Sequence, residues 1–320
     1  MYRILSAVML AWAVVMASPA EAQVRVPHAQ ADAAVSRLQK ATSGAERITT
    51  LLVGVVNDPA YLAAQTPEEM AEAIAGLGPQ TNEARRQIRA IGAELAGLRP
   101  VAGPSDPVEL RMTDKVVADI AALAVKVDDL LGEFLELGDA LAKGDQARVE
   151  RAGRSVMQGS ISVVQAQALM LRGRLAMVPS DASAYGRINA LACFYDGLSG
   201  FQQGTYELVS RTDAIKLVAS ARNCMTSSLA RGRASLDREA TETLADPGLM
   251  RLRSSLAPVH HSLLDELEVG AAILGRLQAS LVDGDDAVTA GDRHGQAIIA
   301  FERRLQTLAR QEVAVVAAAN

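Results

Sequence analysis

The clearest pattern along the chain is a set of apolar positions, Val116, Ile120, Leu123, Val127, Leu130, Phe134, Leu137 and Leu141, separated by alternating steps of four and three residues. This spacing puts all eight on one stripe of an α-helix, the sequence form of knobs-into-holes packing. Asp106-Pro107 opens that helix, Gly144 closes it in a left-handed cap, and Asp145 caps the next, which stops before Pro179. Upstream, a helix is expected from about Pro27 to Val56, ending at Asn57-Asp58-Pro59. Thr66-Pro67-Glu68-Glu69 then reads as a capping box with proline at the first helical position. Gly76, Gly78 and Pro79 are expected to interrupt that second helix before it resumes to Leu98.

The scheme recurs in the second half. Asp106, Pro107 and Arg111 return as Asp246, Pro247 and Arg251, and Leu141, Gly144, Asp145 and Ala147 as Leu281, Gly284, Asp285 and Ala287, each 140 residues later. A helix start and a helix stop kept in one register point to duplication. Arg37 with Arg187 and Gly54 with Gly204 match more loosely, at a shift of 150. The fold expected is all-α: an elongated antiparallel helical array of two tandem four-helix-bundle units, residues 23–178 and 179–320, related by internal duplication.

Composition agrees with that class. Beyond residue 22 the chain has no Trp and eight aromatic side chains, and it is built from Ala, Leu, Arg, Glu and Gln, the strong helix formers. Residues 1–22 have the form of a cleavable signal peptide: Arg3, an apolar run Ile4–Met16, the breaker Ser18-Pro19, and Ala20-Glu21-Ala22 before Gln23. Thirteen apolar residues fall short of the roughly 20 that span a bilayer, so cleavage and export are expected, to a periplasm or the extracellular space. No later apolar stretch is long enough for stable membrane insertion. The net charge of −5 is spread as mixed signs with no basic face, which argues against a nucleic-acid partner.

In an oxidising compartment Cys193 and Cys224 are expected to form a disulfide. They fall on consecutive antiparallel helices joined near Ser210–Asp213, at distances from the turn that differ by about one helical turn.

Motifs that carry chemistry are missing. There is no G-x-S-x-G elbow, no phosphate-binding loop with Lys-Ser/Thr, no H-E-x-x-H and no C-x-x-C-H. Asp129, Glu133 and Glu136 share a helix face, but a di-iron bundle also needs Glu-x-x-His pairs, and none occurs. Asp283-Gly284-Asp285-Asp286, with Asp292 and His294 nearby, lacks the ligand spacing of a calcium loop and reads as helix capping. No cofactor and no metal is expected.

One place departs from the pattern. Carried forward by 140 residues, the third-helix stripe becomes Leu256, His260, Leu263, Leu267, Gly270, Leu274, Leu277 and Leu281. His260 replaces Ile120, and Gly270 replaces Leu130. The Leu-to-Gly exchange leaves a gap to be filled or left open. Tyr185, Phe194, Tyr195, Phe201 and Tyr206 crowd one predicted helix of the same half, and counting along parallel helices puts His260 level with Tyr195 and Gly270 level with Tyr206. In the bland reading aromatic rings fill the gap and His260 bonds a Tyr hydroxyl. In the sharper one His260, Gly270, Phe194, Tyr195, Phe201 and Tyr206 line a pocket for a small apolar or aromatic ligand. The expected function is that of a non-catalytic periplasmic scaffold or adaptor whose helix faces meet another envelope protein. The alternative is a small-molecule-binding, sensor-like module with its pocket in the second unit.

Overall fold

The computed structural model describes residues 28–319, except 57, 65, 104–105, 107, 176–177 and 243–246. The expected signal peptide, Pro107 and Asp246 lie outside the described residues. Among these there are nine helices and no strand: α1 His28–Val56, α2 Pro59–Ala63, α3 Pro67–Ala96, α4 Val108–Ala142, α5 Gln146–Leu175, α6 Ser183–Thr205, α7 Arg211–Thr241, α8 Pro247–Asp283 and α9 Ala287–Ala319. The fold is all-α, an elongated packed array in which helices up to 37 residues long, on the order of 55 Å, run antiparallel through short turns.

The heptad stripe of α4 is inward along its length. Val116 to Leu137 are at most 3 % exposed, and Leu141 packs at the rim of the same core. The stripe of α8 is inward too, His260 and Gly270 included. α3 departs from expectation. It runs unbroken through Gly76, Gly78 and Pro79, with the capping box at Thr66 formed in both directions. Pro79 is exposed, so its ring and missing N–H face water, while Ala71, Ile74, Leu77, Thr81, Ala84 and Ile88 keep the buried face in period across it. Tertiary packing of that face outweighs the proline penalty of about 3 kcal/mol. The short α2 was not expected either. Asp58 caps it, and its Tyr61 meets the Phe134 ring edge-on at 5.0 Å.

Each half uses the same four helix pairings: α1–α3, α3–α4, α4–α5 and α1–α4 in the first, α6–α7, α7–α8, α8–α9 and α6–α8 in the second. Register matches as well as pairing. Gly92 packs on Ala124 of α4, and 140 residues on Gly232 packs on Leu264 of α8. Arg85 and Arg89 clamp Asp128 from α3, and Arg233 clamps Glu268 from α7. The α4–α5 and α8–α9 turns both place glycine at positive φ, Gly144 at 62° and Gly284 at 87°, with the Asp145 and Asp285 N–H groups donating back to the Ala140 and Ser280 carbonyls. α5 packs on α6, and one hydrophobic cluster runs through both halves.

α6 is the central helix. It packs on α5, α7 and α8, and its Phe194 reaches Phe301 of α9. Seventeen of its 23 residues are buried, which is why it is apolar nearly all round. Against α7 it presents small residues at heptad steps, Gly186, Ala190, Cys193, Gly197, Gly200 and Gly204. A Cβ on Gly186 would stand 2.5 Å from the Gly232 Cα, and one on Gly204 2.3 Å from the Ala214 Cβ. The two backbones are therefore nearly in contact. The Cys193–Cys224 disulfide crosses this seam with the Cα atoms 6.0 Å apart.

α6 ends in a turn of the same kind as those at Gly144 and Gly284, but with Glu207 at φ 58° and Leu208 donating back to Gln203. A side chain in that left-handed conformation costs about 1 kcal/mol relative to glycine. Glu207→Gly should therefore raise stability by about 1 kcal/mol in urea melts with the m value unchanged.

Candidate functional site

Gly270 is not beside an opening. A Cβ there would lie 2.7 Å from Phe301 Cζ and 2.8 Å from Met225 Cε, so a ring from α9 and a thioether from α7 occupy the space that Leu130 fills in the first half. Phe301 stacks in turn on Phe194, with centroids 4.6 Å apart, and Phe194 meets Tyr195 edge-on at 5.7 Å. The aromatic crowd thus supplies the layer's backing, while the ring that fills the gap comes from a helix where only one aromatic stands.

The expected levels are also corrected. Gly197 packs on Leu274 and Gly204 on Leu281, which sets Gly270 near Cys193 and His260 near the first turn of α6, rather than beside Tyr206 and Tyr195. The reason is length. α8 has 37 residues and α6 has 23, so the N-terminal turns of α8 overhang the start of its shorter neighbour. Tyr195 is buried, its hydroxyl has no hydrogen-bond partner among the described residues, and burial followed by the nearby Glu302 charge raises its pKa well above the usual phenol value. Phe201 is buried among the core residues, and Tyr206 caps the end of α6.

His260 therefore has no tyrosine partner. Its Nε2 lies 2.8 Å from Oε1 of Glu312 on α9, and that same oxygen is 3.4 Å from Nη1 of Arg187 on α6. All three are buried, at 7 %, 1 % and 4 % exposed, so three helices are tied by one desolvated charge network. Burial lowers the His260 pKa, and the Arg187 charge adds to this against the pull of Glu312. Burial pushes Glu312 up, but the Arg187 charge and the His260 bond outweigh it and leave its pKa below the ordinary carboxyl value. At neutral pH the arrangement is a neutral imidazole donating to a carboxylate that Arg187 balances.

The lowered His260 pKa makes folding stability depend on pH. The unfolded chain takes up a proton near pH 6.5, and the folded chain takes it up only at lower pH. Stability is thus full above about pH 6.5 and falls as pH drops through the folded value. His294, whose pKa is lowered by burial and then by Arg276, contributes with the same sign. Thermal melts between pH 7.5 and 5 should show this loss, less of it in His260→Gln, and least in the double variant with His294→Gln.

Among the described residues, several of the acidic side chains singled out by the sequence are engaged in ion pairs and helix caps. Glu136 pairs with Arg148, Asp286 caps α9 through the Thr289 N–H at 2.8 Å, and Asp285 binds Ser280 and Arg293. The Asp292 side chain lies outside the described residues. Glu312 is beyond the reach of the sequence pattern, because its spacing to His260 follows no motif. The small-residue seam of α6 does leave a signal, the alternating four- and three-residue steps of Gly, Ala and Cys.

Compared with protein-family models, with curated proteins and with solved structures, the chain shows no match to any of them.

Proposed function

We propose that this protein is a non-catalytic, exported helical scaffold or adaptor that offers rigid helix faces to another envelope protein. The observation that carries the reading is the occupied Gly270 layer, where Phe301 and Met225 stand in the space a ligand would need. Rigidity has two sources. Interhelical Arg–carboxylate pairs recur on the exterior, at Arg85–Asp128, Arg148–Glu136, Arg172–Asp196, Arg233–Asp265, Arg304–Glu266 and Arg310–Glu46. The seam between α6 and α7 is locked by a disulfide. That bond suits an oxidising compartment, and among the described residues no helix is long and apolar enough to cross a membrane. Both fit export through residues 1–22 as a signal peptide. The register shared between the halves supports their origin by internal duplication.

Gly270→Leu tests the reading against the alternative of a ligand-binding module. In an occupied layer the added side chain overpacks and should cost about 1–3 kcal/mol, with no effect of added small-molecule extract on either protein. Unchanged or raised stability, together with loss of an extract-induced stabilisation seen in the wild type, would favour the ligand-binding module instead.

A further inference from the structure

α5 carries a polar stripe on its inward side: Ser160, Gln167 and Arg174, seven residues apart and all buried. Ser160 turns its hydroxyl onto the Met157 carbonyl, 2.8 Å away. Arg174 has no such outlet. It is 3 % exposed, and among the described residues its Nε has no hydrogen-bond partner and no carboxylate forms an ion pair with it. The acid whose charge reaches it is Asp119 of α4, but both Asp119 oxygens accept from Lys115 Nζ, at 2.9 and 3.1 Å. Lys115 itself lies across the α5 backbone, where a Cβ on Gly173 would stand 2.4 Å from its Cε. Two cations on adjacent helices thus share one carboxylate.

Burial pulls the Arg174 pKa down to about 10, so the guanidinium is still charged at neutral pH. A desolvated charge without a partner is costly and is relieved by an acceptor of opposite sign. Arg174 lies in the last turn of α5, where the helix dipole offsets part of its charge. The dipole does not supply the paired oxygens that a guanidinium fork matches. We propose that Arg174 of α5 and Lys115 of α4 form a binding site for a small oxyanion, a carboxylate or phosphate group that completes the charge balance Asp119 meets only in part. This site belongs to the first half and is independent of the Gly270 layer and of any protein partner.

Thermal melts of the full chain test it, with inorganic phosphate and acetate titrated separately against sodium chloride at matched ionic strength. The wild-type Tm should rise and saturate, and the anion that saturates at the lower concentration identifies the group. Arg174→Met should keep only the shallow, unsaturating rise that excluded salts give proteins in general. Asp119→Asn removes the competing carboxylate and should tighten the midpoint by about tenfold, the worth of one charge-assisted hydrogen bond. Parallel curves for wild type and Arg174→Met, or no saturation in the wild type, would overturn the proposal. If Arg174→Met does not fold, titration calorimetry with phosphate decides, and equal affinity in wild type and Asp119→Asn overturns it.

Discussion

Replacing Glu312 by alanine should cost about 3–5 kcal/mol, because it strands the Arg187 guanidinium in the core without a counter-charge. Glu312 is 1 % exposed and accepts from both His260 and Arg187, so the loss adds an unmet imidazole donor to an unpaired cation. The double variant Arg187→Met, Glu312→Leu removes both charges and should recover most of the loss, since apolar replacements of buried pairs are often neutral. Urea denaturation of the three proteins at pH 7.5 checks this. A double variant as unstable as Glu312→Ala would show that packing, not charge, sets the cost.

Removing the disulfide should cost about 2–5 kcal/mol. Cys193 and Cys224 are 31 residues apart and close the α6–α7 hairpin at the seam. Alanine suits that seam, whose other members are Gly and Ala, so a Cys193→Ala, Cys224→Ala variant loses the crosslink without overpacking. The wild type, denatured without reductant, should titrate no free thiol. A variant as stable as the wild type would mean that the small-residue packing alone fixes the hairpin.

Much of this architecture is written in local pattern. The α4 stripe from Val116 to Leu141, the Thr66 capping box and the Gly144 and Gly284 turns depend on residues within a few positions of one another, and short-range spacing determines them. The pairing of Cys193 with Cys224 was also legible, because one hairpin fixes both levels. His260 and Gly270 were legible as departures from a stripe, but their neighbours were not. Levels counted from helix ends assume equal ends, and α8 overhangs α6. Pro79 failed as a breaker because the buried face of α3 continues on its far side. The partners that decide the chemistry, Glu312 for His260 and Phe301 for Gly270, come from α9, whose facing is set by packing rather than by any spacing in the sequence. The α6 seam escapes an apolar count for a simpler reason: glycine contributes no hydrophobicity, and its role there is to let backbones touch.

The proposed scaffold role requires that outward helix faces meet a protein partner. Site-specific photo-crosslinking from exposed positions in the native cells shows whether they do. Val125 of α4, Leu169 of α5 and Val282 of α8, which are 58 %, 68 % and 63 % exposed, give one probe on each of three helices. A scaffold should give a discrete crosslinked species containing the same second protein from at least one of these positions, with the chain beginning near Gln23. Monomer alone at every position, with a small organic molecule retained in stoichiometric amount by the purified protein, would contradict it.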